Sequence, residues 1–207
     1  MIKAIVFELG GVLITHFPDS HAKEMERHFK IPVHDLEKIW KENLALANQG
    51  KITSQECFKR VSAQLEEKTG KKIDFKELEK YNFNLLKRPV QKIWDLIEKL
   101  KESYDLYLFS NVADFFPKLE KEIGKFHYFK KMILSYQAGY KKPEKEFYKH
   151  LIQEVGLLPE EILYIDDHAA YLEPAKQMGM NTILFKSHTQ LTEDLKKIGI
   201  RWNDFKI

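Results

Sequence analysis

Four short apolar runs in this sequence each lead into residues able to do chemistry. Glu8 follows the run Lys3 to Phe7, and Ser110 and Asn111 follow Leu106 to Phe109. Lys141-Lys142-Pro143 lies beyond Met132 to Leu134, and Asp166-Asp167 follow Ile162 to Ile165. Brought to one crevice, these side chains supply carboxylates, a hydroxyl, an amide and an ammonium. Three carboxylates so crowded would repel and stay partly protonated unless a cation compensates them, and oxygen-only ligation points to magnesium rather than zinc. Magnesium ordinarily takes one or two carboxylates and shares its other positions with water and a substrate phosphate. Lys142 would neutralise more of that phosphate's charge, while Ser110 and Asn111 could hold its remaining oxygens.

The residues meet only if the runs are neighbouring strands that all point the same way. In an open parallel sheet, ligands bind outside the carboxyl ends of the strands. The β-branched and aromatic run Lys3 to Phe7, followed by Gly10-Gly11, reads as a buried strand opening into a tight loop. From about Asp19 to Asn84 the apolar residues recur at helical spacing, and four helices are expected there; Thr53-Ser54-Gln55-Glu56 resembles a capping box. The aromatics of this block, Phe29, Trp40, Phe58, Tyr81 and Phe83, are expected in its own core. Pro89 suits a first helical position, with Val90, Ile93, Trp94, Ile97 and Leu100 marking one apolar face of the helix. The strands Leu106 to Phe109, Met132 to Leu134, Ile162 to Ile165 and Asn181 to Phe185 then alternate with helices. That alternation predicts an α/β fold, with a parallel sheet covered on both faces and a helical block inserted between its first two strands.

Composition bounds the setting. A chain of 207 residues fits one such domain plus a smaller insert. The single cysteine, Cys57, reads as a small buried hydrophobe in a reducing compartment, so a cytoplasmic location is expected. Glu8 interrupts the apolar opening run, and no stretch reaches the length of a membrane-spanning helix. A formal net charge of +3, spread along the chain, argues against a nucleic-acid partner. The sequence leaves the oligomeric state open.

IVFELGGVL (5–13), LFSN (108–111), GYKKPEKEFY (139–148) and ILYIDDHAAYLEPAKQMGM (162–180) together resemble the four ordered motifs of the haloacid dehalogenase superfamily. NQGKITSQECF (48–58) is similar to part of the helical cap that one branch inserts after the first motif. The resemblance implies a Rossmann-like doubly wound core, residues 1–17 and 86–207, with an all-helical cap, residues 18–85, that moves on hinges near Phe17 and Leu85 to Pro89. It implies a magnesium-dependent phosphatase of a small phosphorylated metabolite, working through an acyl-phosphate on a carboxylate. By position, Glu8 takes the nucleophile's place and joins Asp167, Asp166 and the Gly10 carbonyl on the metal. Gly11, Ser110, Asn111 and Lys142 bind the phosphoryl group, with Ser110 and Lys142 also counted as catalytic.

Three positions depart from the family pattern. Glu8 stands where an aspartate is usual, Gly10 where a general acid/base aspartate is frequent, and Tyr171 where a carboxylate or amide often fixes the lysine. The extra methylene of Glu8 lengthens its side chain by about 1.5 Å, and a misplacement of about 1 Å can cost on the order of a hundredfold in rate. A catalytically silent relative that binds a phospho-ligand or a protein is therefore the alternative. A 2-haloacid dehalogenase would need a substrate-binding arginine, and none of Arg27, Arg60, Arg88 and Arg201 is placed by motif.

Overall fold

A computed structural model of the chain describes residues 1–15, 18–86 and 88–202. Five parallel strands form one sheet: β1 (Ala4–Phe7), β2 (Asp105–Ser110), β3 (Lys131–Leu134), β4 (Ile162–Asp166) and β5 (Asn181–Leu184), in the order β3-β2-β1-β4-β5. The chain leaves β1 to build one side of the sheet and returns to build the other, so β1 lies at the switch point. Register fixes the heights of the strand ends. Phe7 pairs with Leu108 on one side and Ile165 on the other, which sets Glu8 level with Phe109 and Asp166.

Helices α1 (Pro18–Phe29), α2 (Val33–Asn48), α3 (Ser54–Thr69) and α4 (Phe75–Leu86) lie between β1 and β2. After them come α5 (Gln91–Leu100), α6 (Phe116–Ile123), α7 (Ser135–Ala138), α8 (Lys145–Val155), α9 (Ala169–Gln177) and α10 (His188–Lys197). The central strands β2, β1 and β4 are apolar on both sides because helices cover both. Ile5, Phe7, Leu108 and Ile165 face Trp94 of α5, Leu119 of α6 and Leu191 of α10. The alternate residues Val6, Phe109 and Tyr164 face Phe147 and Leu151 of α8 and Leu172 of α9. This is the doubly wound arrangement, in which buried parallel strands lose the polar alternation of exposed ones.

The inserted helices bury a core of their own, with Met25, Leu36, Phe58, Val61, Leu65 and Leu78 at its centre. Thr53 caps α3 by accepting from the Glu56 N–H (3.1 Å), the forward half of the expected capping box. Cys57 sits in that core, 2% exposed, and burial pushes its thiol up to about 11. Phe83, assigned by spacing to the insert's core, instead joins the layer beneath the sheet and lies under the Lys118 ammonium, 4.2 Å from its ring centre.

Pro89 does not open a helix. It pairs with Ile14 in an antiparallel bridge, flanked by Thr15 N–H to Arg88 O (2.8 Å) and Val90 N–H to Leu13 O (2.9 Å), and α5 begins at Gln91. The strands entering and leaving the insert are thus tied side by side; the pairing keeps Pro89 extended, and its missing N–H costs nothing on the unpaired side. Of the expected hinge segments, Phe17 and Lys87 lie outside the described residues. Among the described residues, no helix is long and apolar enough to cross a membrane.

Candidate active site

The strand ends place Glu8, Ser110 and Asp166 at one edge of the sheet, and Lys142 reaches them from the loop between α7 and α8. Its side chain is wholly buried. The ammonium contacts Asp166 Oδ2 (2.7 Å), the Tyr164 hydroxyl (2.9 Å) and the Phe109 carbonyl (3.3 Å), and pairs with Glu8 Oε2 at closer range. Around it stand the rings of Phe109, Tyr164 and Tyr171, 5.0–5.5 Å from the nitrogen. Burial pushes Lys142 below its ordinary value, and Asp166, with Asp167 further off, pulls it back. A buried cation between two carboxylates is a strongly coupled arrangement: loss of Lys142 would leave two buried acids uncompensated, whereas loss of one acid leaves the lysine paired with the other.

Glu8 is itself 7% exposed. Its Oε1 accepts from the Ser110 hydroxyl (2.8 Å) and the Gly10 N–H (3.1 Å). Asn111, expected on the phosphoryl group, spends its amide on the lysine's main chain. Oδ1 accepts from Lys142 N–H (2.8 Å) and Nδ2 donates to Lys142 O (3.1 Å), while the same amide also hydrogen-bonds the Tyr171 side chain. The loop carrying Asn111 is pinned from below by Ser135, whose Oγ accepts from Val112 N–H (2.9 Å) and donates to Val112 O (3.1 Å).

Asp166, expected on the metal beside Asp167, is committed elsewhere. Its Oδ2 takes Lys142 and Tyr164, and its Oδ1 accepts from the His168 N–H (2.8 Å). The reason is strand alternation: Asp166 points to the same side of the sheet as Tyr164 and stays fully buried, while Asp167 is turned outward into the open. Asp167 then lies across the first loop. A Cβ on Gly11 would stand 2.5 Å from the Asp167 carboxyl carbon, and Gly11 holds φ at +77°, so only glycine admits this approach. The Gly11 N–H, expected on substrate, is bonded to Ile14 O (3.0 Å).

Among the described residues, no three His, Cys, Asp or Glu side chains converge as a ready-made metal cage. The hard oxygen donors on these loops are the carboxylates of Glu8 and Asp167, with the Gly10 main chain held against Glu8 through its N–H. Hard oxygen donors in that number are what magnesium takes when water and phosphate complete its shell, so the donor chemistry fits.

Tyr164 was not among the residues singled out by sequence. Burial, then Asp166, raises its phenol well above the usual value, so it remains a donor. The signal was available in its position two residues before Asp166 on one strand, which fixes both side chains on one face. Tyr171 supplies a ring face where a carboxylate or amide was the expected lysine holder; it stacks on His168 (4.5 Å between centres), and its carbonyl accepts from the Tyr148 hydroxyl (2.6 Å).

A family model described as haloacid dehalogenase-like hydrolase matches residues 24–185. The chain belongs to that family. The matched span takes in Ser110, Lys142, Asp166 and Asp167 but leaves out β1 and Glu8, the part that departs most from the pattern. Among curated relatives of these hydrolases, D-ribitol-5-phosphate phosphatase of Bacteroides thetaiotaomicron is 28% identical over 194 residues, 88% of this chain and 91% of the relative. A family enzyme of the same organism, solved in complex with magnesium and inorganic phosphate, superposes with a TM-score of 0.69 at 28% identity, covering 90% of this chain and 95% of that one. A predicted hydrolase of the family from Porphyromonas gingivalis shares the fold with a TM-score of 0.76 at 22% identity, over 96% and 98% of the two chains.

Proposed function

We propose that this hydrolase is a magnesium-dependent phosphatase of a small phosphorylated metabolite. The observation that carries the reading is the buried Lys142 ammonium, set between Glu8 and Asp166 and one hydrogen bond from Ser110 through Glu8. Support also comes from a relative named for a sugar-alcohol phosphate and a related structure holding magnesium and phosphate.

In this reading Glu8 attacks phosphorus, the bond to the leaving oxygen breaks, and a carboxyl-phosphate on Glu8 is then hydrolysed by water. Ser110 Oγ and the Asn111 amide hold phosphoryl oxygens, and Lys142 balances the charge on the transferring group. Asp166 and Tyr164 aim the lysine rather than touch substrate. Gly10 offers no side-chain acid, so the leaving oxygen takes its proton from water or from the substrate. Glu8, Asp167 and the Gly10 carbonyl would hold magnesium, which when bound neutralises phosphoryl charge. Residues 18–85 act as a cap over the core of 1–17 and 86–207, excluding water and selecting the substrate.

A catalytically silent, phospho-ligand-binding relative is the second reading, favoured by the way Ser110 and Lys142 both hold Glu8. A panel of phosphate monoesters with magnesium, run on the native chain and on Glu8→Asp, separates the two. Turnover by either protein supports the phosphatase; none from both, across a broad panel, supports the silent relative.

A further inference from the structure

The donors assigned to the phosphoryl group are already in use. Ser110 has one hydroxyl hydrogen and gives it to Glu8 Oε1; the Gly10 N–H points at the same oxygen; the Lys142 ammonium meets Oε2. The remaining lysine hydrogens face Asp166 Oδ2, the Tyr164 hydroxyl and the Phe109 carbonyl. Three donors from three separate segments thus converge on the two oxygens of one nearly buried carboxylate. A hydroxyl, a main-chain N–H and an ammonium around a pair of oxygens are also what an oxyanion requires.

We propose that the Glu8 carboxylate is a resident anion that fills the oxyanion cradle of its own active site, so that phosphate binds only by displacing it. The inference builds on the reading of Ser110 and Lys142 as phosphoryl-binding groups. Glu8 has one more methylene than an aspartate, and that length carries its oxygens as far as Ser110 on β2 and Lys142 beyond it. Two anions in one buried cradle repel, and the donors cannot serve both fully. Withdrawal of Glu8 does not strand the lysine, which keeps Asp166, Tyr164 and the Phe109 carbonyl. The cradle should therefore survive truncation of Glu8 and become an open anion site.

Inorganic phosphate is the probe, titrated by calorimetry without and with magnesium into the full-length native chain, Glu8→Ala, Glu8→Asp and the double variant Glu8→Ala/Lys142→Met. Glu8→Ala should bind phosphate roughly tenfold tighter than the native chain, or better, without magnesium, as expected when a like charge leaves a poorly screened site. The double variant should lose that gain. Glu8→Asp, whose shorter carboxylate withdraws from the donors, should fall between, and it decides the matter should Glu8→Ala fail to fold. Phosphate binding by the native chain as tight as by both single variants overturns the inference. A gain in phosphate affinity with no turnover by native or Glu8→Asp protein keeps the resident anion and removes the phosphatase.

Discussion

Asn111 holds Lys142 by its main chain, amide against amide, with Lys142 N–H to Oδ1 at 2.8 Å and Nδ2 to Lys142 O at 3.1 Å. Two loops that are far apart in sequence are joined by this pair, and the height of the lysine in the crevice depends on it. Asn111→Ala should lower stability by about 1–3 kcal/mol, because two main-chain groups of a tight loop lose their partners. Denaturant unfolding checks this, and a cost near zero would mean water replaces the amide without loss.

Tyr164→Phe removes a hydroxyl lodged between Lys142 and Asp166 while leaving the ring in the core. Stability should fall by about 1.5–3 kcal/mol, the usual net worth of a hydrogen bond to a charged group. Turnover should fall more than substrate affinity, since an ill-aimed lysine is felt most where charge develops. Steady-state kinetics on any substrate found in the monoester panel makes the comparison.

Glu8→Asp should raise phosphatase turnover on the order of ten- to a thousandfold, because it moves the attacking oxygen without changing its charge. Asp167→Ala in that background should abolish the gain. A native protein already as fast as its aspartate version would show that the longer carboxylate is accommodated.

Gly11→Ala tests the crossing of the first and fourth loops. The left-handed φ alone costs about 1–2 kcal/mol for a residue with a Cβ, and the new methyl must push Asp167 aside. Magnesium should raise the melting temperature of the native chain, as a ligand of the folded state does. The rise should shrink in Gly11→Ala and vanish in Asp167→Ala; an equal rise in all three would remove Asp167 from the metal.

The insert meets the core where Asp114 Oδ1 accepts from Ser54 N–H (2.6 Å) at the start of α3 and Gln49 Nε2 donates to Glu144 (2.8 Å). Between these contacts, any side chain on Gly50 would collide with the Tyr136 carbonyl. Asp114→Ala removes one tie and a favourable charge at a helix N-terminus. Faster amide exchange in α3 and larger dimensions by X-ray scattering are expected, and unchanged values for both would mean that the remaining contacts suffice to hold the insert down.

The order of strands and helices was legible in the sequence because buried parallel strands and amphipathic helices leave different periods in the apolar pattern. The polar residues that close those strands were legible for the same reason: a strand end in an open sheet opens on the crevice. Pro89 and Phe83 were misassigned because both sit where the insert joins the core; a bridge to Ile14 and the underside of the sheet, neither of them local, decide their places. The division of labour between Asp166 and Asp167 follows from strand alternation, but which of the two faces inward depends on the sheet's packing. Spacing likewise cannot reveal that Asn111 serves the lysine's main chain, or that Glu8 already holds Ser110 and Lys142. Those choices were made by tertiary structure, because hydrogen bonds between segments 31 to 134 residues apart depend on strand register and side-chain length together.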